Sequence, residues 1–329
     1  MRKLFFLLPG TTRSFYCGGL FAELNTLKLA QQICGAEVVT YRQREENHLF
    51  IDDVLQRDNL NRYIWIVSWG FDVPKQLKKL SRCNVVYHAH SSGYGFSIAP
   101  QVPILAVSRN TLGYWGTQAL NSLLYWLPNQ LPDDVCNRQS PRDIDVLVQS
   151  RKSSDYVNNQ LVPALKERFN VVVVDGFVDD LMGLFNRAKI YLYDSAEYWV
   201  QYRLTEGFGL PPMEALACGC QVFSSVNHAL ADYLDPGVNC HKIAGYGTGY
   251  DVQRIATVLE NWQPNDLPDS FFDPYRSEQL VPRLETILTE LNHFFDYRQQ
   301  YGSDIPSLTR QRRLYLFYKR IATKLKKLT

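Results

Sequence analysis

Short apolar runs alternate with helix-length stretches along most of this chain, and that alternation restricts it to parallel sheets covered by helices on both faces. Leu4–Leu8, Glu37–Tyr41, Tyr63–Val67, Asn84–His88 and Ile104–Val107 read as strands, with a helix over Leu20–Ile33. From Leu127 to Pro141 the chain is rich in proline and polar residues without apolar periodicity, which reads as a linker. The alternation then restarts: strands over Ile144–Val148, Val171–Val174, Ile190–Tyr193 and Gln221–Ser224 are separated by helices over Asn158–Arg168, Asp179–Arg187 and Pro211–Cys218. With 329 residues, 46% of them hydrophobic, there is material for two cores. The expected class is α/β, two doubly wound domains over residues 1–135 and 141–300. Ligand belongs between them, outside the carboxyl ends of the strands.

Charge is unevenly distributed. Eight Lys/Arg and no acid fall between Arg310 and Thr329, turning a first 309 residues of net −6 into a chain of +2. That balance gives no global basic field, so nucleic acid is not an expected partner. Seven cysteines, an odd number without framework spacing, suit a reducing, cytoplasmic compartment. The run Leu4–Leu8 is shorter than the apolar region of a signal peptide and has no small-residue cleavage site close behind it. No stretch approaches the ~20 apolar residues of a membrane-spanning helix.

The most informative stretch runs from Glu206 to Ser225, beginning Glu-Gly-Phe-Gly-Leu-Pro-Pro-Met-Glu. A glycine turn leads into a helix with Pro211 and Pro212 in its first turn, where a missing N–H costs nothing, and Gly219 closes that helix. Backbone N–H groups near Gly209 would then face an anion or hydroxyl at a positive helix end. The same argument applies to the paired glycines Gly18 and Gly19, ahead of the first long helix.

Glu206, the Gly-Phe-Gly-Leu-Pro turn and Glu214 together resemble the E-x7-E region of glycosyltransferase family 4, retaining enzymes of the GT-B fold. The resemblance implies that Glu214 binds the ribose hydroxyls of a nucleotide-sugar donor. It implies also that the N–H groups of Phe208, Gly209 and Leu210 meet the sugar and diphosphate, and that Glu206 lies beside the transferred sugar. Val171–Tyr193 is similar to the family segment that holds the base, making Phe177 and Val178 base neighbours. Family members carry an Arg after the Ile144–Val148 strand and a Lys several residues on. Here Arg151 and Lys152 are adjacent, and which of them reaches the phosphates is open. Of His88 and His90, the second fits better the family histidine near the reacting sugar; a satisfied structural histidine is the alternative. A zinc site needs a third ligand, and the other histidines show no ligand spacing, so no metal or other cofactor is expected. Asn129 resembles a structural hinge residue. Arg203, three residues before Glu206, either selects a uronic acid or is simply solvated.

The resemblance therefore implies metal-independent transfer, with retention, of a hexose or uronic acid from a UDP-sugar to a saccharide or lipid-linked acceptor in polysaccharide or glycolipid synthesis. A silent nucleotide-sugar-binding module and an epimerase of the same fold stay open; no G-x-G-x-x-G follows a strand, against a dinucleotide oxidoreductase. Leu314, Phe317, Ile321, Leu325 and Leu328 recur at helical spacing in the basic tail. In GT-B enzymes a C-terminal helix returns to the first domain, and residues 308–329 are expected to do so. A peripheral contact with an anionic membrane on its inner face is the other reading.

Overall fold

A computed structural model describes residues 1–305 and 308–325 of the chain. The first sheet contains β1 (Lys3–Leu8), β2 (Ala36–Thr40), β3 (Leu49–Phe50), β4 (Tyr63–Val67), β5 (Asn84–Ala89), β6 (Ile104–Ala106) and β7 (Leu124–Trp126), in the order β3-β2-β1-β4-β5-β6-β7. All its pairings are parallel. Helices α1 (Gly18–Gln31), α2 (Ile51–Leu55), α3 (Val73–Lys79) and α4 (Arg109–Gln118) form its crossovers. The strand residues are apolar on both sides because both faces are covered: Leu4, Phe6 and Leu8 enter one core, Phe5 and Leu7 the other.

The second sheet is also wholly parallel, in the order β12-β11-β10-β8-β9. Its strands are β8 (Ile144–Gln149), β9 (Val171–Val174), β10 (Ala188–Tyr193), β11 (Gln221–Ser224) and β12 (His241–Lys242). Around it lie α5 (Val162–Lys166), which continues a π-helical turn over Val157–Leu161, α6 (Leu181–Arg187), α7 (Ala196–Tyr202), α8 (Leu210–Ala217), α9 (Thr248–Glu260) and α10 (Asp269–Phe272). The expected doubly wound pair is present, and each strand order reverses once, between β1 and β4 and between β10 and β8.

The expected linker is not a loose strap. Leu131 and Val135 are buried in the second domain's core. Arg276, where the chain crosses back, donates to the carbonyls of Leu131, Pro132 and Val135, so the two crossings are tied side by side. Asn129 is buried at this crossing.

The return to the first domain is made by a different helix from the one expected. It is α11 (Ser277–Gln300), 24 residues long, that places Leu280, Leu284, Leu288, Leu291 and Phe295 in the core beside β1 and α1. Each such side chain contributes about 1.5–3 kcal/mol by leaving water. Its stripe at i, i+4, i+8 and i+11 is free of charge, and Arg298 fixes its end to the Cys83 carbonyl and Asn84 Oδ1. Residues 280–295 thus belong with the first domain's core. The basic tail forms α12 (Arg310–Leu325), whose described side chains are exposed, Leu314 and Phe317 by more than half. Leu328, the last residue of the expected stripe, lies outside the described residues.

Candidate functional site in the interdomain cleft

Among the contacts that join the domains in the described residues, three involve segments that follow strands at their carboxyl ends. After β5, Ser91 Oγ donates to the Thr205 carbonyl at 2.7 Å, and the Ser92 N–H donates to Thr205 Oγ1 at 3.0 Å. In the first turn of α4, the Arg109 and Asn110 N–H groups donate to Asp232 Oδ2 at 2.6 and 3.2 Å. Beyond β9, Phe177 stacks on Phe21 of α1 at 5.6 Å between ring centroids and meets Tyr16 at 5.6 Å. Gly207 is required at the first contact, because any Cβ there would overlap the His90 carbonyl oxygen.

On the second domain's side the turn from Arg203 to Leu210 is built from unusual backbone. Arg203 ends α7 with φ 55°, and Gly209 starts α8 with φ 84°. A side chain at Gly209 would strike Leu230 and the Tyr233 hydroxyl, which donates to the Gly209 carbonyl at 2.5 Å. Phe208 is buried between Tyr233 and Tyr275 and anchors the turn to the core. Leu210 opens α8, and Gly219 closes it, with the Cys220 N–H on the Ala215 carbonyl and its own N–H on the Leu216 carbonyl. The closing role expected of Gly219 is met.

Glu206 is buried in this turn. Its Oε2 accepts from the Tyr193 hydroxyl at 2.6 Å and from the Trp199 indole at 2.9 Å, with Lys152 Nζ at 3.6 Å. Burial alone would raise its pKa, but the Lys152 charge and the hydrogen bonds from Tyr193, Trp199 and Ser195 outweigh it and hold the carboxyl below its ordinary range. Lys152 also lies over the Trp199 ring at 4.6 Å and donates to the Tyr193 hydroxyl at 3.4 Å. Of the two adjacent cations, Lys152 is therefore the one that converges on Glu206, while Arg151 is exposed.

Glu214 sits on α8 in the opposite state. Among the described residues its carboxylate has no ion pair or hydrogen bond, and burial pushes its pKa up to about 7. An acceptor held on a helix without a donor is chemically suited to hydroxyl groups brought by a ligand. Val178 is half-buried beside the exposed Phe177. Arg203 is exposed, with no side-chain partner among the described residues.

On the first domain's side His90 and His88 follow one face of β5 and meet Glu23 of α1. Glu23 Oε1 accepts from His88 Nδ1 at 2.8 Å and from His90 Nε2 at 2.9 Å. Burial opposes a charge on Glu23, but the two imidazoles hold it ionised with a pKa far below the carboxylate range. For His90, burial and the neighbouring His88 outweigh Glu23 and lower the pKa. A neutral His90 with its proton on Nε2, toward the carboxylate, keeps Nδ1 as an acceptor. His88 Nε2 and Glu23 Oε2 are buried without a partner among the described residues.

Sequence spacing showed no third ligand-type neighbour for the histidine pair, yet Glu23 is one. The N···O separations of 2.8 and 2.9 Å are hydrogen-bond distances. Ligand atoms held ~2.0–2.2 Å from one tetrahedral zinc would stand further apart. We therefore treat the cluster as a proton-sharing network. Gly18 and Gly19 form the first turn of α1 without positive φ, and a Cβ at Gly18 would meet nothing within 4 Å. Open space, rather than backbone freedom, distinguishes that helix start.

Besides Glu23, sequence reasoning missed Tyr193, Trp199 and His228. His228 Nδ1 accepts the Glu206 N–H at 3.3 Å from a left-handed residue, φ 53°. The Tyr at a strand end and Trp199 in a short aromatic helix carry no periodic signal that separates them from core residues.

Residues 164–267 match the family described as glycosyl transferases group 1. Over 137 residues, 41% of this chain, the sequence is 28% identical to the serotype-specific mannosyltransferase WbdA of Escherichia coli, and the match covers 14% of WbdA's length. Among solved structures, sucrose-phosphate synthase from Thermosynechococcus elongatus superposes with a TM-score of 0.61 at 12% identity, covering 88% of this chain and 99% of that one. Anabaena HepE, solved with UDP, gives a TM-score of 0.60 at 14% identity, covering 88% and 100%. At these identities the structural likeness is one of fold. The chain thus has the GT-B architecture, and its second domain contains the segment that is similar to glycosyl transferases group 1.

Proposed function

We propose that this protein is a retaining glycosyltransferase that uses a nucleotide-sugar, UDP-linked in the first instance, and passes a hexosyl or uronosyl unit to a saccharide or lipid-linked acceptor. The observation that carries the reading is the convergence of Lys152 on Glu206 at the start of α8, with the unpaired Glu214 one helical span away and His90 across the cleft. Lys152 is the phosphate cation in this reading. In the resting protein it leans on Glu206, and with donor bound it faces the diphosphate, where charge grows as the sugar departs. The N–H groups of Phe208, Gly209 and Leu210 at the positive end of α8 share that load. Glu214 accepts from the ribose hydroxyls.

Bond making and breaking balance without a protein nucleophile. The acceptor oxygen bonds to the anomeric carbon on the face from which the phosphate leaves, the C1–O bond to phosphate breaks, and the acceptor proton passes to a departing phosphate oxygen. His90, fixed by Glu23, accepts from a sugar hydroxyl through Nδ1 and orients the ring. HepE has been solved with UDP and with UDP-glucose, which supports beginning with uridine donors. The WbdA likeness adds a mannosyl donor to the set. Nothing around the exposed Arg203 favours a uronic acid over a neutral hexose.

Nucleotide release and product stereochemistry, measured in EDTA with a panel of donors and acceptors, test the reading. Acceptor-dependent release that survives EDTA and yields a product of unchanged anomeric configuration is expected. Binding without turnover would leave a silent module, sugar interconversion without an acceptor an epimerase, and an inverted product would contradict retention.

A further inference from the structure

We propose that α12 docks the protein in the plane of an anionic lipid surface, an inference that stands apart from the transfer reaction. At 100° per residue, Leu314, Phe317, Tyr318, Ile321 and Leu325 fall within one arc of about 100°. All five are exposed, between 39% and 65%. Arg312, Lys319 and Arg320 project from the opposite side, and Arg313 flanks the arc. An apolar stripe bordered by basic residues matches a bilayer interface, where the stripe enters the acyl boundary and the cations meet lipid phosphates.

The other occupants fit less well. The first domain's own groove is filled by α11 through Leu280, Leu284, Leu288 and Leu291. A second copy of α12 would bring six positive charges against six with no acid to pair them. Nucleic acid would use the charges and leave five large apolar side chains in water. The body contributes an orientation: its net −6 is repelled by an anionic surface that attracts the tail. The tether starts at the end of α11, which Arg298 holds to Cys83 and Asn84 at the amino edge of the first sheet. The cleft lies at the opposite, carboxyl edge of that sheet.

Co-sedimentation of the full chain with phosphatidylcholine–phosphatidylserine vesicles, against pure phosphatidylcholine vesicles, tests this. The anionic vesicles should bind at least about tenfold more strongly, with the preference weakening as salt rises. The variants Ile321→Ser/Phe317→Ser and Arg312→Glu/Arg320→Glu should each lose most of that binding with an unchanged thermal midpoint, since neither pair touches a core. Equal sedimentation with both vesicle types would overturn the proposal. So would full binding by the serine variant, which would indicate charge adsorption alone, or a stable dimer that hides the tail.

Discussion

Each domain brings one buried carboxylate to the cleft, and the two are kept ionised by different means. In the first domain Glu23 is held by two imidazoles on one oxygen, with Glu23 and His88 enclosed and His90 half-buried. In the second, Glu206 is held by a phenol, an indole and Lys152, whose side chain is 27% exposed. Truncating either carboxylate would leave polar partners buried and unpaired. Only the second network, however, includes a cation with room to turn toward a ligand. In the proposed reading, charge stabilisation then falls to the second domain and orientation of the sugar to the first. Glu214 adds a third state, a carboxylate left without a protein donor.

Five substitutions sharpen or break that division. Lys152→Met should lower turnover about 10²–10³-fold, the loss of one preorganised charge at a leaving group, while Arg151→Met should cost far less. The reverse ranking would move the phosphate contact to Arg151. Gly207→Ala sets a methyl against the His90 carbonyl; displacing the two halves of the site by an ångström should cost about 10²-fold in turnover, with nucleotide affinity retained. Unchanged turnover in this variant would show that the His90–Gly207 approach is not used.

Glu23→Gln should lower kcat about 10–100-fold, as loss of an outer partner does, with little change in donor KM. Because the Glu23 charge raises the His90 pKa against burial, its removal should also move the acidic limb of the pH profile downward. A limb that stays in place would reduce Glu23 to a packing residue. The smallest effect belongs to Glu214→Gln. The folded carboxyl titrates at about 7 against an ordinary 4.5, so it adds stability below pH 4.5 that is lost as pH rises to 7. The stability difference between wild type and the glutamine variant should fall across that window. Nucleotide affinity should differ about tenfold above pH 7, where the carboxylate accepts ribose hydroxyls, and little below it.

The sheets were legible because period and composition agreed: Val171–Val174 and Tyr63–Val67 could be little else than strands. The turn at Glu206 was legible because glycine, proline and acid stood at fixed spacing around a helix start. Glu23 was not, since an acid in a helix reads as solvent-facing and its partners lie 65 and 67 residues away on β5. Choosing the return helix failed for a related reason. Both α11 and α12 carry apolar stripes, and only packing reveals which stripe finds a groove.

The central claim, a donor site at the start of α8, is tested most directly by thermal shift with UDP, GDP, ADP and CMP and their sugar conjugates, with and without EDTA. The account predicts that one nucleoside diphosphate raises the midpoint, that the shift persists in EDTA, and that Lys152→Met diminishes it. No shift from any of them, in a folded protein, would contradict it.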